Sequence, residues 1–290
     1  MSDTAVKNEK KKWSKKKKIV VIVLSVLLAF IVLVVAGGIY ALNRYCRTGE
    51  YNVVSTDAQV TLVAHRGMRS VAPENTTAAF EEAGKHGYWG AECDVYMTKD
   101  GRWIVSHDTH TYRMMDKSAF VEKKTYDELM EMTVDNGSNI EDYPNLKFCS
   151  LEEYLEICKQ YNMVAVIELK GKNNTEHYDK IIEAVNQYDV DAVYISFHFE
   201  NLQKIRELTD AQVYYLVQEI KEEDIDLAKS LENCGIDFNG NKEENFETDI
   251  IDKCFDEGLA MGAWTINTLD SMEKLTDKGV TLITTDCITY

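Results

Sequence analysis

Two patterns of hydrophobic and polar positions divide this chain. Residues 19–42, IVVIVLSVLLAFIVLVVAGGIYAL, form an apolar run without any charged side chain. A helix over these residues spans about 36 Å, which is enough to cross the hydrocarbon core of a membrane. Beyond residue 58, short β-branched runs alternate with longer runs whose apolar residues recur every three or four positions. The first pattern predicts one membrane-spanning helix, and the second predicts a globular domain of alternating strands and helices.

The alternating region predicts eight strands and seven intervening helices. Strict alternation of strand and helix is typical of parallel strands joined by crossover helices. Eight such strands favour a closed α/β architecture, the (β/α)8 TIM barrel, over an open sheet, which usually has fewer strands. The predicted strands are residues 60–64, 91–95, 163–168, 192–197, 212–217, 235–238, 260–265 and 281–285, and the predicted helices are 76–86, 150–161, 176–188, 200–208, 221–231, 247–257 and 268–278.

Two segments depart from this alternation. Residues 102–106 follow the turn signal Lys99-Asp100-Gly101 and are predicted to form a hairpin with strand two. Residues 107–149 form a long insertion before the next helix. Because the last predicted strand is followed by five residues, we expect no eighth helix, and a connector with Tyr51, Val53 and Val54 is expected to cover part of the exposed seam. The predicted organisation is a basic tail (1–18), a transmembrane helix (19–42), the connector (43–58) and the barrel domain (59–290).

The charges predict how the chain is oriented in a membrane. The chain has 32 basic and 49 acidic residues, but residues 1–47 contain ten basic residues against two acidic ones. Eight lysines precede the apolar run, so the N-terminus is expected in the cytoplasm and the acidic domain outside the cell membrane. A cleaved signal peptide is the competing interpretation, although its apolar region is usually about 7–15 residues. The acidic domain excludes nucleic-acid binding through bulk charge.

The seven cysteines do not form a recognisable metal or disulfide pattern. Their number is odd, and no CxxC spacing occurs. These features argue against a disulfide scaffold and against a zinc site. Most of the cysteines are therefore expected to be small buried side chains.

Candidate chemistry lies at the C-terminal ends of the predicted strands, where a TIM barrel builds its active site. Glu92 and Asp94 lie two residues apart on strand two and therefore share one face. Carboxylates in a buried strand are costly unless they meet a cation, and oxygen ligands favour a hard ion such as Mg²⁺ or Ca²⁺ over zinc. The other polar residues expected at this mouth are His65, Arg66, His107, Glu168 and Lys170.

The sequence at these positions resembles the glycerophosphodiester phosphodiesterase family. The resemblance is carried by residues 65–108, HRGMRSVAPENTTAAFEEAGKHGYWGAECDVYMTKDGRWIVSHD, and continues in blocks at 146–155, 168–170, 195–197, 264–267 and 283–286. It implies a TIM barrel that binds one divalent cation. The roles it implies are metal ligands for Glu92, Asp94 and Glu168, acid/base catalysis for His65 and His107, phosphate binding for Arg66 and Lys170, and substrate-pocket positions for Asn75 and Trp264.

The resemblance implies metal-dependent hydrolysis of glycerophosphodiesters to an alcohol and glycerol phosphate. A lysophospholipase-D-like activity and an inactive barrel that only binds are the alternatives, although all seven catalytic, phosphate and metal positions are filled. The similarity to phosphatidylinositol-specific phospholipases C further suggests that the glycerol 2-hydroxyl attacks first, with either histidine as the base. Of the family pattern that follows the second histidine, only Arg113 persists in this sequence. Asn75 is either a helix cap or a site residue, and the sequence leaves both interpretations open.

Overall fold

A computed structural model describes residues 14–45 and 51–290 of the chain. These residues belong to two units, Met1–Arg47 and Thr48–Tyr290. The first unit contains helix α1 (Lys15–Tyr45), which is longer at both ends than the predicted span. Within α1, Lys15–Ala41 is long and apolar enough to cross a membrane, with a mean hydropathy of 3.5 in its most apolar part. The predicted tail lies largely outside the described residues.

The second unit contains short strands that alternate with helices along most of its length. The strands in chain order are β1 (Val54–Ser55), β2 (Thr61–Ala64), β3 (Gly90–Met97), β4 (Trp103–Val105), β5 (Cys149–Ser150), β6 (Val164–Leu169), β7 (Ala192–Ser196), β8 (Val213–Val217), β9 (Cys234–Asn239), β10 (Met261–Trp264), β11 (Leu282–Thr285) and β12 (Ile288–Thr289). The helices are α2 (Thr77–Lys85), α3 (Tyr126–Met130), α4 (Leu151–Tyr161), α5 (Tyr178–Tyr188), α6 (Phe199–Arg206), α7 (Glu222–Lys229), α8 (Ile250–Asp256) and α9 (Leu269–Thr276).

Eight parallel strands close into a barrel, as the sequence predicted. Their order around the barrel is β2-β3-β6-β7-β8-β9-β10-β11, and β11 pairs again with β2. The closing register places Thr285 opposite Ala64, and Ala64 opposite Ala91. Each predicted barrel strand is found within two residues of its predicted bounds. The agreement follows from the buried β-branched runs, since a strand that is buried on both faces consists almost entirely of hydrophobic residues.

The core has two main layers. Apolar side chains on the outer strand faces pack against the helices, and a smaller cluster fills the barrel interior. Helix α4 shows how the sequence starts such a helix, because Ser150 and Glu153 form a capping box. The six described cysteines are buried and unpaired, as expected, while Cys46 lies outside the described residues.

The hairpin and the insertion follow β3. Strand β4 pairs antiparallel with β3, which confirms the predicted hairpin, and β5 adds antiparallel to β4. The insertion contains α3 and has a hydrophobic cluster of its own, to which Tyr96 and Ile104 contribute from the barrel side. The insertion is therefore packed onto the barrel next to the strand that carries the two predicted carboxylates.

The connector pairs with the end of the chain. Strand β1 is parallel to β12, and the backbone N–H groups of Val54 and Thr56 donate to carbonyl oxygens of Cys287 and Thr289. Of the three residues expected to cover the seam, Val53 is 44% exposed and Tyr51 and Val54 are half-buried, and it is Ala58 that packs against the main core. Backbone hydrogen bonds along β12, more than apolar contacts, thus hold the connector.

Candidate active site

The turn after β2 sets the geometry of the mouth. Arg66 and Gly67 both have positive φ, at 58° and 76°, which is a costly conformation for a non-glycine residue. The backbone N–H of Arg66 donates to Oε2 of Glu92 at 2.8 Å, and this bond stabilises the turn. A Cβ atom on Gly67 would lie 2.6 Å from the backbone carbon of Ala79, so a side chain is excluded here. The turn thereby directs the residues after β2 over the barrel mouth.

Three buried carboxylates converge beside this turn. Glu92 and Asp94 project from β3, and Glu168 is paired with Asp94 in the register of β6. One potential ligand atom from each residue lies within 4.8 Å of the others. This separation fits oxygen ligands at about 2.1–2.5 Å around a single Mg²⁺ or Ca²⁺ ion. The donor set therefore matches the cation class that the sequence predicted.

The electrostatics of this cluster favour a cation among the three groups. Burial, and then the neighbouring Asp94, raise the pKa of Glu92 well above its usual range and that of Glu168 to about 7. The pKa of Asp94 is lowered, because Lys170 and then His107 outweigh the opposing effect of burial. Oδ1 of Asp94 accepts no hydrogen bond within the described chain, although Lys170 Nζ lies 3.2 Å from it. An added divalent cation would offset this unfavourable concentration of negative charge.

Asn75 supports the cluster from behind. Its Nδ2 donates to Oδ2 of Asp94 at 2.7 Å, while its Oδ1 accepts from the Asp94 backbone N–H at 3.4 Å. The N-cap of α2 is Thr76, whose side chain accepts from the N–H of Ala79. Of the two interpretations of Asn75, the structure therefore favours the site residue over the helix cap.

Each predicted catalytic histidine has a carboxylate on its Nδ1 atom. His65 Nδ1 lies 2.7 Å from Oδ1 of Asp286, and His107 Nδ1 lies 2.9 Å from Oδ1 of Asp108. Such a partner fixes the ring orientation and keeps the proton on Nδ1, so that Nε2 is the nitrogen available for proton transfer. Burial, and then Arg66, lower the pKa of His65, which keeps this ring neutral near pH 7.

Asp286 is held in turn by residues from three other segments. Asn267 Nδ2 donates to Oδ2 of Asp286 at 2.7 Å, and Arg69 Nη1 lies 3.6 Å from its Oδ1. Tyr51 of the connector lies close enough for the charge of Asp286 to raise the pKa of its phenol, and its ring centroid lies 5.6 Å from Cζ of Arg69. The pKa of Asp286 falls to about 2, because His65 and Arg69 outweigh the effect of burial.

A buried glutamate organises the cationic side of the mouth. Glu74 accepts from Arg66, Arg69 and Arg113, with N–O distances of 2.9, 2.9 and 2.6 Å. These three guanidinium groups hold the pKa of Glu74 well below its usual range although burial opposes them. Glu74 thus holds three arginines together beside the cleft, which Arg66 lines.

The predicted residues meet at one cleft of about 300 Å³. Both histidines line it, together with Arg66, Glu92, Glu168, Lys170 and Trp264. Lys170 reaches the cluster, since its Nζ lies 3.0 Å from Oε1 of Glu168. Asp94 and Asn75 lie behind this lining, and Asn75 instead borders a neighbouring cavity formed with the insertion. The predicted site residues are thus one spatial group in two layers.

Comparison with known proteins identifies the family. Residues 65–289 match the Glycerophosphoryl diester phosphodiesterase family. The chain belongs to this family. It is therefore a member of a family of phosphodiester hydrolases, and the resemblance inferred from the motifs is confirmed.

Relatives of known fold or name support this assignment. A glycerophosphodiester phosphodiesterase of Caldanaerobacter subterraneus is 27% identical over 236 residues, covering 78% of this chain and 93% of the relative. The uncharacterized protein YqiK of Bacillus subtilis is 35% identical over 134 residues, and this match spans about half of each protein, 45% of this chain and 54% of YqiK. A solved phosphodiesterase of Oleispira antarctica, in complex with the product sn-glycerol-3-phosphate, superposes on this chain with a TM-score of 0.72 at 26% identity. The superposition covers 80% of this chain and 96% of the Oleispira chain.

Several residues that shape this phosphodiesterase site were not singled out from the sequence. Asp286 follows the last barrel strand, and Asp108 follows the predicted catalytic residue His107. The search for polar residues at strand ends, which found the other site residues, could therefore have found both. Glu74 lies within the PENT motif, but nothing in the sequence shows that it meets three arginines. Tyr51 gives no local signal for this site, because its position beside Asp286 depends on packing between distant segments.

Proposed function

We propose that this protein hydrolyses glycerophosphodiesters to an alcohol and glycerol phosphate, using one divalent cation and two histidines. The observation that carries the proposal is the convergence of three buried carboxylates and two carboxylate-paired histidines on one cleft. Membership of the family supports it, as does the glycerol phosphate product bound by the Oleispira relative.

Glu92, Asp94 and Glu168 would hold the cation, and both Mg²⁺ and Ca²⁺ accept such a ligand set. A bound divalent ion would withdraw charge from the phosphoryl oxygens and make the phosphorus a better electrophile. Arg66 and Lys170 line the same cleft and would bind the remaining phosphate oxygens. Lys170 contacts two of the carboxylates in this structure, so it is already positioned beside them.

His65 and His107 would act as the acid and base pair. In the proposed sequence, one histidine takes the proton of the glycerol 2-hydroxyl while this oxygen attacks phosphorus, and the other gives a proton to the departing alcohol. The resulting cyclic phosphate is opened by water, with the two histidines exchanging roles. An intramolecular attack of this kind is favoured because the nucleophile is already held next to phosphorus.

The membrane arrangement is also a proposal. Helix α1 would anchor the protein in the cell membrane, with the N-terminus in the cytoplasm and the barrel outside, because eight lysines precede its apolar run and only Arg44 and Arg47 closely follow it. Protease added to intact cells should then digest the barrel. A protected barrel would contradict the orientation, and a barrel released into the medium after cleavage near residue 41 would show a signal peptide.

The activity can be tested with the purified full-length chain in detergent. The assay would compare glycerophosphocholine, other glycerophosphodiesters and lysophosphatidylcholine, each with chelator and with added Mg²⁺ or Ca²⁺. We expect cleavage of the glycerophosphodiesters that chelator abolishes and a divalent ion restores. Preference for the lysolipid would favour the lysophospholipase-D-like alternative, and cleavage of none would favour an inactive barrel.

A further inference from the structure

A run of alternating charges joins the two proposed catalytic histidines, and Glu74 lies at its centre. On one side, Nη2 of Arg69 lies 2.9 Å from Oε2 of Glu74, and Nη1 of the same arginine lies 3.6 Å from Oδ1 of Asp286. This Asp286 oxygen lies 2.7 Å from Nδ1 of His65. Arg69 and Asp286, here called the Arg69 arm, therefore connect Glu74 to the first histidine.

The other side of Glu74 is built in the same way. Nη2 of Arg113 lies 2.6 Å from Oε1 of Glu74, and Nε of Arg113 donates to Oδ2 of Asp108 at 2.5 Å. The other oxygen of Asp108 lies 2.9 Å from Nδ1 of His107. Burial would raise the pKa of Asp108, but His107 and Arg113 lower it to about 2, so this aspartate is ionised at neutral pH. Arg113 and Asp108, the Arg113 arm, connect Glu74 to the second histidine.

The two arms meet at different oxygens of one buried carboxylate. Arg69 lies at Oε2 of Glu74, whereas Arg113 shares Oε1 with Arg66, the proposed phosphate-binding residue. The side chains of Glu74 and Arg113 are each 3% exposed and that of Arg69 is 7% exposed, so water and salt screen these charges little. The loop that carries Glu74 is fixed as well, since the backbone N–H of Asn75 donates to the carbonyl oxygen of Arg66 at 2.9 Å.

Glu74 and the two arginines lie behind the cleft. The described residues that line it include both histidines but not Arg69, Arg113 or Glu74, so these three act on the substrate only through other side chains. An acid and a base that act in one step must be held within about 0.5 Å of their productive positions by the residues around them. A single carboxylate that anchors both arms meets this requirement.

We propose that Glu74 is a positioning residue that holds the two histidines in place relative to each other and to Arg66. It acts on His65 through the Arg69 arm and on His107 through the Arg113 arm. This inference rests on the proposed function, in which one histidine is the base and the other is the acid. The two arms therefore serve different halves of the same step, and their loss has different consequences for different substrates.

The test compares two substrates that differ in their need for an acid. Glycerophosphocholine loses an alkoxide that requires a proton, whereas the p-nitrophenyl ester of glycerol phosphate loses a weakly basic phenolate that does not. The full-length variants are Arg69→Lys and Arg113→Lys, because a lysine ammonium does not span two carboxylates as a guanidinium does. We expect each variant to lower kcat for glycerophosphocholine at least about tenfold with little change in KM. The variant in the arm of the acid should regain most of its rate on the p-nitrophenyl ester, and the other variant should not.

Glu74→Gln should combine the losses of both arms. It should also raise KM, because Arg66 loses its anionic partner, and the p-nitrophenyl ester should restore only part of its rate. Glu74→Asp keeps the charge and should retain more activity than Glu74→Gln. The matched control is Arg102→Lys, at an exposed ion pair with Glu152, which should cleave both esters as the wild type does.

Equal losses on the two esters in both arginine variants would overturn the inference, since they would indicate a general effect on the fold. An unchanged kcat in Glu74→Gln or in either arginine variant would overturn it as well. If Glu74→Gln does not fold, the two arginine variants decide by the same comparison of esters. A wild type that cleaves neither ester contradicts the proposed function itself, and this result is distinguishable from an active wild type whose variants treat both esters alike.

Discussion

Oδ1 of Asp286, at the end of the last barrel strand, lies 2.7 Å from Nδ1 of His65, at the end of the first. The two residues are 221 positions apart in the chain, and the closure of the barrel between β11 and β2 brings them together. The pair orients one of the two proposed acid/base groups, so Asp286 is a positioning residue with a measurable effect on that histidine.

Replacing Asp286 should change both the rate and its pH dependence. The Asp286 charge favours the protonated form of His65, so Asp286→Asn should lower the pKa of His65 further. We expect kcat to fall about 10- to 100-fold, because the variant weakens acid–base catalysis by His65 without removing the histidine. The limb of the kcat/KM profile that belongs to His65 should move to lower pH. Asp210→Asn, which removes an exposed acid before β8, is the control and should leave the profile unchanged; an unchanged profile for Asp286→Asn would refute the role.

The same carboxylate should affect acid stability. Its pKa is about 2 in the folded chain against an ordinary 3.8, so its ionised form stabilises the fold above pH 3.8. This contribution is lost as the pH falls from 3.8 to about 2. The wild type should therefore lose unfolding free energy faster than Asp286→Asn over this window, as measured by urea denaturation. Parallel losses would contradict the assignment.

Tyr51 should support Asp286 from the connector. Burial, and then the charge of Asp286, raise the pKa of the Tyr51 phenol, so this hydroxyl stays protonated beside Asp286. Tyr51→Phe removes the hydroxyl beside Asp286 and should lower kcat a few-fold with little change in KM, because a polar contact of this kind is worth about 0.5–1.5 kcal/mol. Tyr143→Phe, which removes a long hydrogen bond to Val71 O in the insertion, is the control. Equal kcat for Tyr51→Phe and wild type would show that the connector is only a spacer.

The carboxylate cluster should be required for activity and not for folding. Glu92→Gln and Asp94→Asn each remove a proposed ligand and also relieve repulsion within the cluster, so activity should fall at least about 100-fold while the fold is kept. Added Mg²⁺ or Ca²⁺ should raise the melting temperature of the wild type and not of these variants. Glu183→Gln, at an exposed position of α5, should behave as the wild type. Near-native turnover of both variants in chelator would exclude a metal role.

The two histidines should act as one unit. Replacing either His65 or His107 by Ala should remove most of the rate, and the double variant should lose little more, because acid and base act in the same step. Single-variant losses that multiply in the double variant would indicate independent roles. Circular dichroism and melting temperatures would show that the variants are folded.

The nucleophile can be identified with a substrate analogue. A glycerophosphodiester in which hydrogen replaces the glycerol 2-hydroxyl should bind almost as well but turn over far more slowly. The reason is that an oriented intramolecular nucleophile has an effective molarity of about 10⁵ M or more. Turnover of this analogue at the normal rate would identify water as the direct nucleophile.

The barrel and most of the proposed catalytic residues could be predicted from the amino-acid sequence. Buried strands and amphipathic helices have local periodicities, so the eight strands could be placed within two residues. Because side chains alternate between the two faces of a strand, Glu92 and Asp94 could be placed on one face. Because a TIM barrel builds its active site at the C-terminal ends of its strands, Glu168 and Lys170 could be placed beside them. These features depend on residues close together in the chain, which is why they can be read from it.

The distant residues that support this site could be identified only from the folded chain. Barrel closure sets Asp286 against His65, and the pairing of β1 with β12 brings Tyr51 to the same place. Each of these contacts depends on strand register and ring order, which arise from packing of the whole domain. No local pattern of residues specifies them.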